Sequence, residues 1–245
     1  MKGVILAGGL GTRLFPLTKV TNKHLLPIYD RPMIYYPIHT LVRSGIDDIL
    51  LVCGGNSAGE FLRLLGNGKQ FGLKHINYTY QHGEGGIADA LSLAEHFAAG
   101  GPIAVMLGDN ILEQPITDAV KDFRANPQGA KIFLTEVAHP EWYGVVTVEG
   151  EKVVEIVEKP KQPKTNLIAI GLYMYDATVF DFIKGLSPSD RGELEITDVN
   201  NRYIKAGKMR ADRINGWWAD GGESFATYLN SNIQASKMVD RPPAE

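Results

Sequence analysis

Hydrophobic residues in the first half of the chain form short runs that alternate with segments of helical spacing. The runs predict strands at 3–7, 46–53, 75–81, 102–107 and 130–138. The periodic segments predict helices at 32–44, 57–66, 86–98 and 115–125. The run from Ile103 to Leu107 is apolar throughout, which is typical of a strand buried on both faces. The alternation predicts an α/β fold, with a mostly parallel twisted sheet and helices on both of its faces.

The pattern changes after about residue 140. Apolar stretches at 144–148 and 152–157 flank Glu149-Gly150-Glu151 and predict a small β-hairpin beside the main sheet. A further strand is predicted at 167–175, and helices near 177–185, 195–206 and 222–238. We expect a single domain at 1–239, with halves at 1–138 and 139–239, and a flexible tail at 240–245.

The composition excludes several classes of function. The net charge of −3 includes no basic excess that would attract nucleic acid or an anionic membrane. The chain has no long apolar stretch, and its first apolar run is too short for a signal peptide, so we expect a cytoplasmic protein. The single cysteine, Cys53, cannot form an intrachain disulfide, and the scattered histidines lack the spacing of a zinc site. Anion binding must therefore depend on a few individually placed lysines and arginines.

A glycine-rich segment follows the first strand, at 6–14, and contains Gly8, Gly9 and Gly11. Glycines let backbone N–H groups approach an anion, and Arg13 adds a guanidinium that suits phosphate oxygens. The segment is not a Walker loop, and Leu14 stands where a Rossmann fingerprint needs a third glycine. It predicts a phosphate-binding turn, although a flexible βα turn without a ligand is the alternative.

Other candidate side chains lie in segments further along the chain. Lys23 would add a second cation if its loop faces the glycine segment. Asp109 and Asp220 are carboxylates that suit magnesium, although a plain turn and a helix cap are their alternatives. Glu158 and Lys159 end the hairpin, where they suit sugar hydroxyls and a phosphate but are also typical of surface charge.

Gln81 ends the strand at 75–81, just before the helix that Gly86 opens. Its primary amide matches the N3–H and carbonyl edge of thymine or uracil. A rotated amide would match cytosine too, so the identity of the base stays open.

In their order along the chain, these segments resemble the sugar-1-phosphate nucleotidyltransferases, and most closely their glucose-1-phosphate thymidylyltransferase branch in a short form. The resemblance runs from Gly3 to about Leu229. The segments that carry it lie at 8–14, 23–27, 32–36, 107–110, 143–146, 158–160 and 191–200. The last of these, from Arg191 to Asn200, is specific to the thymidylyl branch.

The resemblance implies a Rossmann-like, GT-A-like domain whose first half binds a nucleotide and whose second half, with the hairpin, binds a sugar phosphate. The implied nucleotide-binding residues are Gly8, Gly9, Gly11, Thr12, Arg13, Lys23, Gln81, Gly86 and Asp109. The implied sugar-phosphate residues are Asn110, Gly144, Glu158, Lys159, Gly171, Tyr173, Arg191 and Trp218. Asp109 and Asp220 would bind Mg²⁺, and the implied catalytic cations are Arg13, Lys23, Lys159 and Arg191.

The implied reaction joins dTTP to α-D-glucose 1-phosphate and gives dTDP-glucose and pyrophosphate. This reaction would supply dTDP-rhamnose and cell-surface polysaccharide biosynthesis. The resemblance also implies a homo-oligomer, with the number of subunits left open. Two departures from the family are visible. Glu84 and Gly85 replace the usual Pro and Asp, which leaves UTP and CTP open as substrates. The chain also ends at Glu245, before the helical extension of longer members, so we do not expect their feedback-inhibition site.

Three other functions remain as alternatives. A nucleotide-sugar glycosyltransferase binds a diphosphate sugar, which carries less negative charge than a triphosphate. The two cations Arg13 and Lys23 therefore argue against it. A non-catalytic nucleotide-sugar sensor could have lost the carboxylates, but Asp109 and Asp220 are both present. A nicotinamide oxidoreductase fits least, because the glycine pattern fails.

Overall fold

The computed structural model describes residues 1–55 and 57–238. Its strands are β1 Lys2–Ala7, β2 Pro27–Ile28, β3 Arg31–Pro32, β4 Asp48–Gly54, β5 His75–Gln81, β6 Ile103–Leu107, β7 Asn110–Leu112, β8 Ala130–Glu136, β9 Gly144–Glu149, β10 Lys152–Glu158, β11 Leu167–Tyr175, β12 Met209–Arg213 and β13 Trp218–Asp220. Its α-helices are α1 Tyr35–Arg43, α2 Ala58–Leu65, α3 Ile87–Ser92, α4 Glu95–Ala98, α5 Thr117–Ala125, α6 Thr178–Lys184, α7 Ile196–Lys205 and α8 Phe225–Ser236. The tail predicted at 240–245 lies outside the described residues.

The main sheet is mixed. Its strands β5, β4, β1 and β6 are neighbours in that order and pair in parallel. Strand β11 pairs antiparallel with β6, β8 and β9, and β9 and β10 form the predicted hairpin. Edge strand β12 pairs in parallel with β8. This arrangement confirms the predicted α/β class.

Helices cover both faces of the sheet, and β1 shows why. Val4 and Leu6 belong to one buried cluster, together with apolar residues of α3, α6 and α7. Ile5 and Ala7 belong to a second cluster, with residues of α1, α2 and α5. Because successive side chains of a strand point to opposite faces, both clusters require apolar residues in β1. The unbroken apolar run in the sequence is the consequence.

Some element boundaries differ from the prediction. The segment predicted as one helix at 86–98 is divided between α3 and α4. The helix predicted from 222 begins at Phe225, because the Ser224 side chain accepts a hydrogen bond from the Thr227 amide and caps the helix. Strand β12 was not predicted, since its sequence from Met209 to Arg213 is half polar, as an edge strand can be.

The parallel strands end at one edge of the sheet, and this edge carries the predicted chemistry. The glycine segment follows β1, Gln81 ends β5, and Asp109 follows β6. Short strand β13 pairs antiparallel with β7 and sets Asp220 opposite Asn110. Within the described residues, no helix is both long and apolar enough to cross a membrane.

The histidine on α1 lies in an aromatic and cationic environment. The ring of His39 contacts Phe71 edge-on, with 5.4 Å between centroids, and Tyr35 at 6.2 Å. Burial and the nearby charges of Arg31 and Arg43 lower the pKa of His39 from its usual 6.5 to about 4. The folded protein therefore holds this imidazole neutral in mildly acidic solution.

We expect acidification to destabilise the fold through His39. Between pH 6.5 and about 4 the unfolded chain binds a proton that folded His39 does not, so the free energy of unfolding falls as the pH falls. Partial solvent screening limits this contribution to about 2 kcal/mol. Urea unfolding at pH 7 and pH 4.5 should show a smaller pH-dependent loss for His39→Gln than for the wild type. The exposed His75→Gln is the control and should keep the wild-type slope; equal slopes in all three proteins would contradict the assignment.

Candidate active site

All predicted site residues except Gly11 and Thr12 line one cleft of about 320 Å³, a size within the range of small-molecule sites. The cleft opens at the carboxyl edge of the parallel strands, where ligands of α/β sheets bind. Its lining includes Gly8, Gly9, Arg13, Lys23, Gln81, Gly86, Asp109, Asn110, Gly144, Glu158, Lys159, Gly171, Tyr173, Arg191, Trp218 and Asp220. Gly11 and Thr12 lie in the glycine turn but do not line the cleft.

The glycine segment is shaped by close approaches of side chains. Gly11 is left-handed, with φ of 69°, and a Cβ there would lie 2.9 Å from the Cβ of Lys23. A Cβ on Gly8 would lie 2.6 Å from the Oε1 atom of Gln81. Glycine at these positions thus lets Lys23 and Gln81 lie against the loop backbone.

Arg13 is held by a carboxylate that sequence reasoning did not identify. Its Nη1 atom lies 2.5 Å from Glu223 Oε2, although 210 residues separate the two. The Arg13 side chain is half exposed at 50%, whereas that of Glu223 is 14% exposed. The guanidinium is therefore fixed at the mouth of the cleft and open to a ligand on one side.

Lys23 and Asp109 form the central ion pair of the cleft. Lys23 Nζ lies 2.5 Å from Asp109 Oδ2, and Asn110 Nδ2 donates to Asp109 Oδ1 at 3.0 Å. Burial alone would raise the pKa of Asp109, but the Lys23 ammonium outweighs it and holds that pKa well below its usual range. Burial likewise opposes charge on Lys23, yet Asp109 and Asp220 raise the pKa of this lysine. Both partners are therefore charged at neutral pH.

Asp220 is the second carboxylate of this group. Its Oδ1 atom accepts a hydrogen bond from the Gly222 amide at 2.8 Å. Burial in the cleft wall and repulsion from Asp109 raise the pKa of Asp220 to about 7. Lys23 counters only part of this shift. Lys23 alone therefore does not stabilise both carboxylates as anions, and an added cation would favour the ionised form of Asp220.

The pair Asp109 and Asp220 fits a hard divalent cation such as Mg²⁺. Both supply oxygen ligands, and a Cβ on Gly222 would lie 2.6 Å from Asp109 Oδ2, so glycine leaves this oxygen accessible. Within residues 1–55 and 57–238 no larger group of potential metal ligands occurs. Mg²⁺ typically takes one or two carboxylates and completes its shell with water and phosphate oxygens, which matches this donor set.

Asn110 is a buried junction. Its Oδ1 atom accepts from Trp218 Nε1 at 2.7 Å and from the Gly171 amide at 2.9 Å. A Cβ on Gly171 would lie 2.6 Å from the Leu107 side chain, so only glycine fits between β6 and β11 here. Asn110 therefore fixes Asp109, Trp218 and β11 to one another, while its predicted contact with the sugar stays a prediction.

The hairpin and α7 form the opposite wall. Glu158, at the end of β10, pairs in register with Gly144 and accepts a hydrogen bond from Thr197 Oγ1 at 2.6 Å. Burial raises the pKa of Glu158. Tyr173 is buried and stacks on Tyr175, with 5.9 Å between ring centroids. This wall therefore places the fixed carboxyl group of Glu158 near the buried ring of Tyr173.

The two predicted cations of this wall differ in their surroundings. Lys159 is half-buried and left-handed, with φ of 43°, and its amide donates to Tyr143 O at 3.0 Å. In the part of the chain that the structure describes, no carboxylate forms an ion pair with Lys159. Arg191 is paired with both oxygens of Glu195, at 2.9 and 2.8 Å, and lies near Glu193 and Glu158. Lys159 thus carries the less neutralised charge.

Sequence reasoning missed several residues that hold the site together. His24 is buried, and its Nδ1 lies 2.6 Å from Asn22 Oδ1. Burial and Lys23 lower the pKa of His24 to about 3, so it supports the Lys23 loop as a neutral ring. Glu223, Glu195 and Thr197 were also missed. The spacing Asn22-x-His24 and the four-residue spacing of Arg191 and Glu195 were usable signals, but the long-range partners Glu223 and Thr197 left none.

Comparison with known proteins agrees with this arrangement. A family model described as nucleotidyl transferase matches residues 2–236. A glucose-1-phosphate thymidylyltransferase of Xanthomonas campestris is 44% identical, over 95% of this chain and 80% of the relative. One from Neisseria meningitidis is 43% identical, over 91% of this chain and 78% of the relative.

Solved structures extend the comparison. A Bacillus anthracis protein, provisionally named a glucose-1-phosphate thymidylyltransferase and crystallised with sucrose, has a TM-score of 0.93 and 44% identity, covering 100% of this chain and 98% of that one. A UDP-glucose pyrophosphorylase with bound UDP-glucose has a TM-score of 0.83 at 24% identity, which supports the fold alone. These matches confirm the resemblance, and we conclude that the chain belongs to the nucleotidyl transferase family and is an enzyme of that type.

Proposed function

We propose that the protein is a glucose-1-phosphate thymidylyltransferase, which forms dTDP-glucose and pyrophosphate from dTTP and α-D-glucose 1-phosphate. One observation carries the proposal: cations from separate segments, Arg13, Lys23, Lys159 and Arg191, line a single cleft together with the carboxylates of Asp109 and Asp220. The names of the Xanthomonas and Neisseria relatives support the choice of substrates.

The nucleotide would occupy the side of the cleft at the carboxyl ends of β1 and β5. The glycine segment with Gly8, Gly9, Gly11 and Thr12 would hold the triphosphate through backbone N–H groups. Arg13 and Lys23 would add charged donors to the β and γ phosphates. The base would lie between Gln81 and Gly86, whose lack of a side chain leaves room for a flat ring.

The sugar phosphate would occupy the side formed by the hairpin and β11. Glu158 would accept from sugar hydroxyls, and Lys159 and Arg191 would contact the phosphate. The remaining predicted contacts would come from Asn110, Gly144, Gly171, Tyr173 and Trp218. Because Lys159 has no carboxylate partner among the described residues, we give it the larger share of phosphate binding.

The reaction needs no general base, because the attacking phosphate oxygen is already an anion at neutral pH. This oxygen forms a bond to the α-phosphorus of dTTP, and the bond from that phosphorus to the β-phosphate bridge oxygen breaks. Repulsion between the two polyanions is the main obstacle, and binding must hold the reacting atoms roughly 3–3.5 Å apart and in line. The anomeric C–O bond is untouched, so the sugar keeps its configuration.

The side chains divide this electrostatic task. Arg13 and Lys23 would neutralise the departing pyrophosphate, and Lys159 and Arg191 the attacking phosphate. Asp109 and Asp220 would hold Mg²⁺, which supplies Lewis-acid charge to the phosphate oxygens when it is bound. Lys23 would then share Asp109 with the cation.

UTP remains a second candidate substrate, because uracil and thymine share the edge that we place against Gln81. The setting that we propose also comes from the resemblance: a cytoplasmic homo-oligomer in nucleotide-sugar synthesis, with dTDP-rhamnose and cell-surface polysaccharide downstream.

The direct test measures pyrophosphate release across dTTP, UTP, CTP, ATP and GTP with several sugar 1-phosphates, with and without Mg²⁺. Release that requires no sugar 1-phosphate would contradict the proposal.

Removing one charged group on the nucleotide side should abolish most turnover. We expect Arg13→Ala and Asp109→Ala each to lower kcat at least about 100-fold, the scale of a lost electrostatic stabiliser. Arg63→Ala is the matched control, since Arg63 is exposed on α2, away from the cleft. Pyrophosphate release under saturating substrates measures the effect, and near-normal turnover in either cleft variant would refute its role.

Removing Lys159 should weaken the sugar phosphate selectively. We expect Lys159→Ala to raise KM for glucose 1-phosphate about tenfold or more, because a charge-assisted contact to the sugar phosphate is lost. KM for dTTP should change little. Lys161→Ala removes an exposed lysine two positions away and should leave both constants unchanged. An unaltered KM for glucose 1-phosphate in Lys159→Ala would place the sugar phosphate elsewhere.

A further inference from the structure

The amide of Gln81 is held by two groups that only accept hydrogen bonds. Its Nε2 atom donates to Asp89 Oδ2 at 2.7 Å and to Gly86 O at 3.1 Å. Gln81 is buried, with 5% of its surface exposed. A carboxylate and a backbone carbonyl have no hydrogen to donate, so together they use both N–H bonds of this amide.

These two partners fix which end of the amide faces the cleft. Rotating the amide by a half turn would place Oε1 against two acceptors, losing both hydrogen bonds and adding repulsion. In the favoured orientation Oε1 faces Gly8, where a Cβ would lie only 2.6 Å away. Among the described residues, no group donates a hydrogen bond to Gln81 Oε1. Because Gln81 lines the cleft, this acceptor is left for a ligand there.

The local backbone brings the Asp89 carboxylate to this position. Asp89 lies in the first turn of α3, where a negative side chain is favoured. A Cβ on Gly85 would lie 2.5 Å from Asp89 Oδ2, so only glycine leaves room for the carboxylate. Gly86 has a positive φ of 93°, a backbone conformation that favours glycine. Its carbonyl oxygen accepts the second hydrogen bond from the Gln81 amide.

We propose that Asp89 is a positioning residue that sets the class of base accepted by the enzyme. By orienting Gln81, it presents an acceptor to the Watson–Crick edge of the base. Thymine and uracil offer an N3–H donor to that acceptor, whereas cytosine offers an N3 lone pair and is repelled. The inference rests on the proposed function. The oriented Gln81 would select a base with an N3–H group and would not separate thymine from uracil.

The variant Asp89→Asn tests this role while keeping the shape of the side chain. An asparagine can donate as well as accept, so a rotated Gln81 would gain a partner. The ratio of kcat/KM for UTP to that for CTP should fall about tenfold, since the lost partner is a charged acceptor. The change should arise in the KM values of the two nucleotides, with KM for glucose 1-phosphate unchanged. Asp89→Glu keeps an acceptor-only group and should retain more of the wild-type ratio.

Controls separate failure of this inference from failure of the proposed function. Asp118→Asn, at a fully exposed aspartate of α5, should keep the wild-type ratio. If the wild type releases pyrophosphate but Asp89→Asn leaves the ratio unchanged, Asp89 does not orient Gln81 and only this inference is wrong. If the wild type uses no pyrimidine triphosphate, the proposed function and the inference both fail.

A measurement on the wild type alone covers the case in which Asp89→Asn does not fold. UTP should compete with dTTP at least about tenfold more strongly than CTP does, the discrimination of a matched over a mismatched polar edge. Equal competition by CTP would contradict the orientation that we assign to Gln81.

Discussion

The cleft depends on an imbalance of charge between Lys23, Asp109 and Asp220. One ammonium lies 2.5 Å from Asp109, while a second carboxylate has its pKa raised to about 7 by burial and by Asp109. Such a group is costly in the protein alone and becomes favourable when a cation and an anionic ligand complete it. Asn110 fixes this group by joining Asp109 to Trp218 and β11. The site is therefore built to be completed by a metal–phosphate complex.

The other cations of the cleft follow the same principle. Arg13 is paired with Glu223, and Arg191 with Glu195, so both guanidinium groups are positioned before any substrate binds. This explains how a protein with a net charge of −3 can hold two polyanions in one place. Bulk charge is not needed when a few cations are oriented in advance. Lys159 is the exception, since no carboxylate of the described residues pairs with it.

The sequence predicted those features that depend on local pattern. Strand β6 is a continuous apolar run and β1 is one after Lys2, and Asp109 follows such a run, so the fold class and the position of this carboxylate could be predicted. Strands β7 and β13 have three residues each and pair across a long sequence separation, which no local period encodes. The partner Glu223 was missed for the same reason, because it meets Arg13 only once segments 210 residues apart come together. Glu195 and Asp89 lie four and eight residues from their partners Arg191 and Gln81, so their spacing was visible in the sequence but their contacts were not predicted. The structure also limits the orientation of Gln81, which the sequence had left open.

The central claim is that these separate segments bind one metal and two phosphate esters in a shared cleft. The most direct measurement is a crystal structure of the protein with Mg²⁺, glucose 1-phosphate and a dTTP analogue that cannot react. We expect Asp109 and Asp220 to bind a single metal ion, Arg13 and Lys23 to contact the triphosphate, and Lys159 to contact the sugar phosphate. Ligands bound elsewhere, with these side chains still facing only their protein partners or solvent, would contradict it.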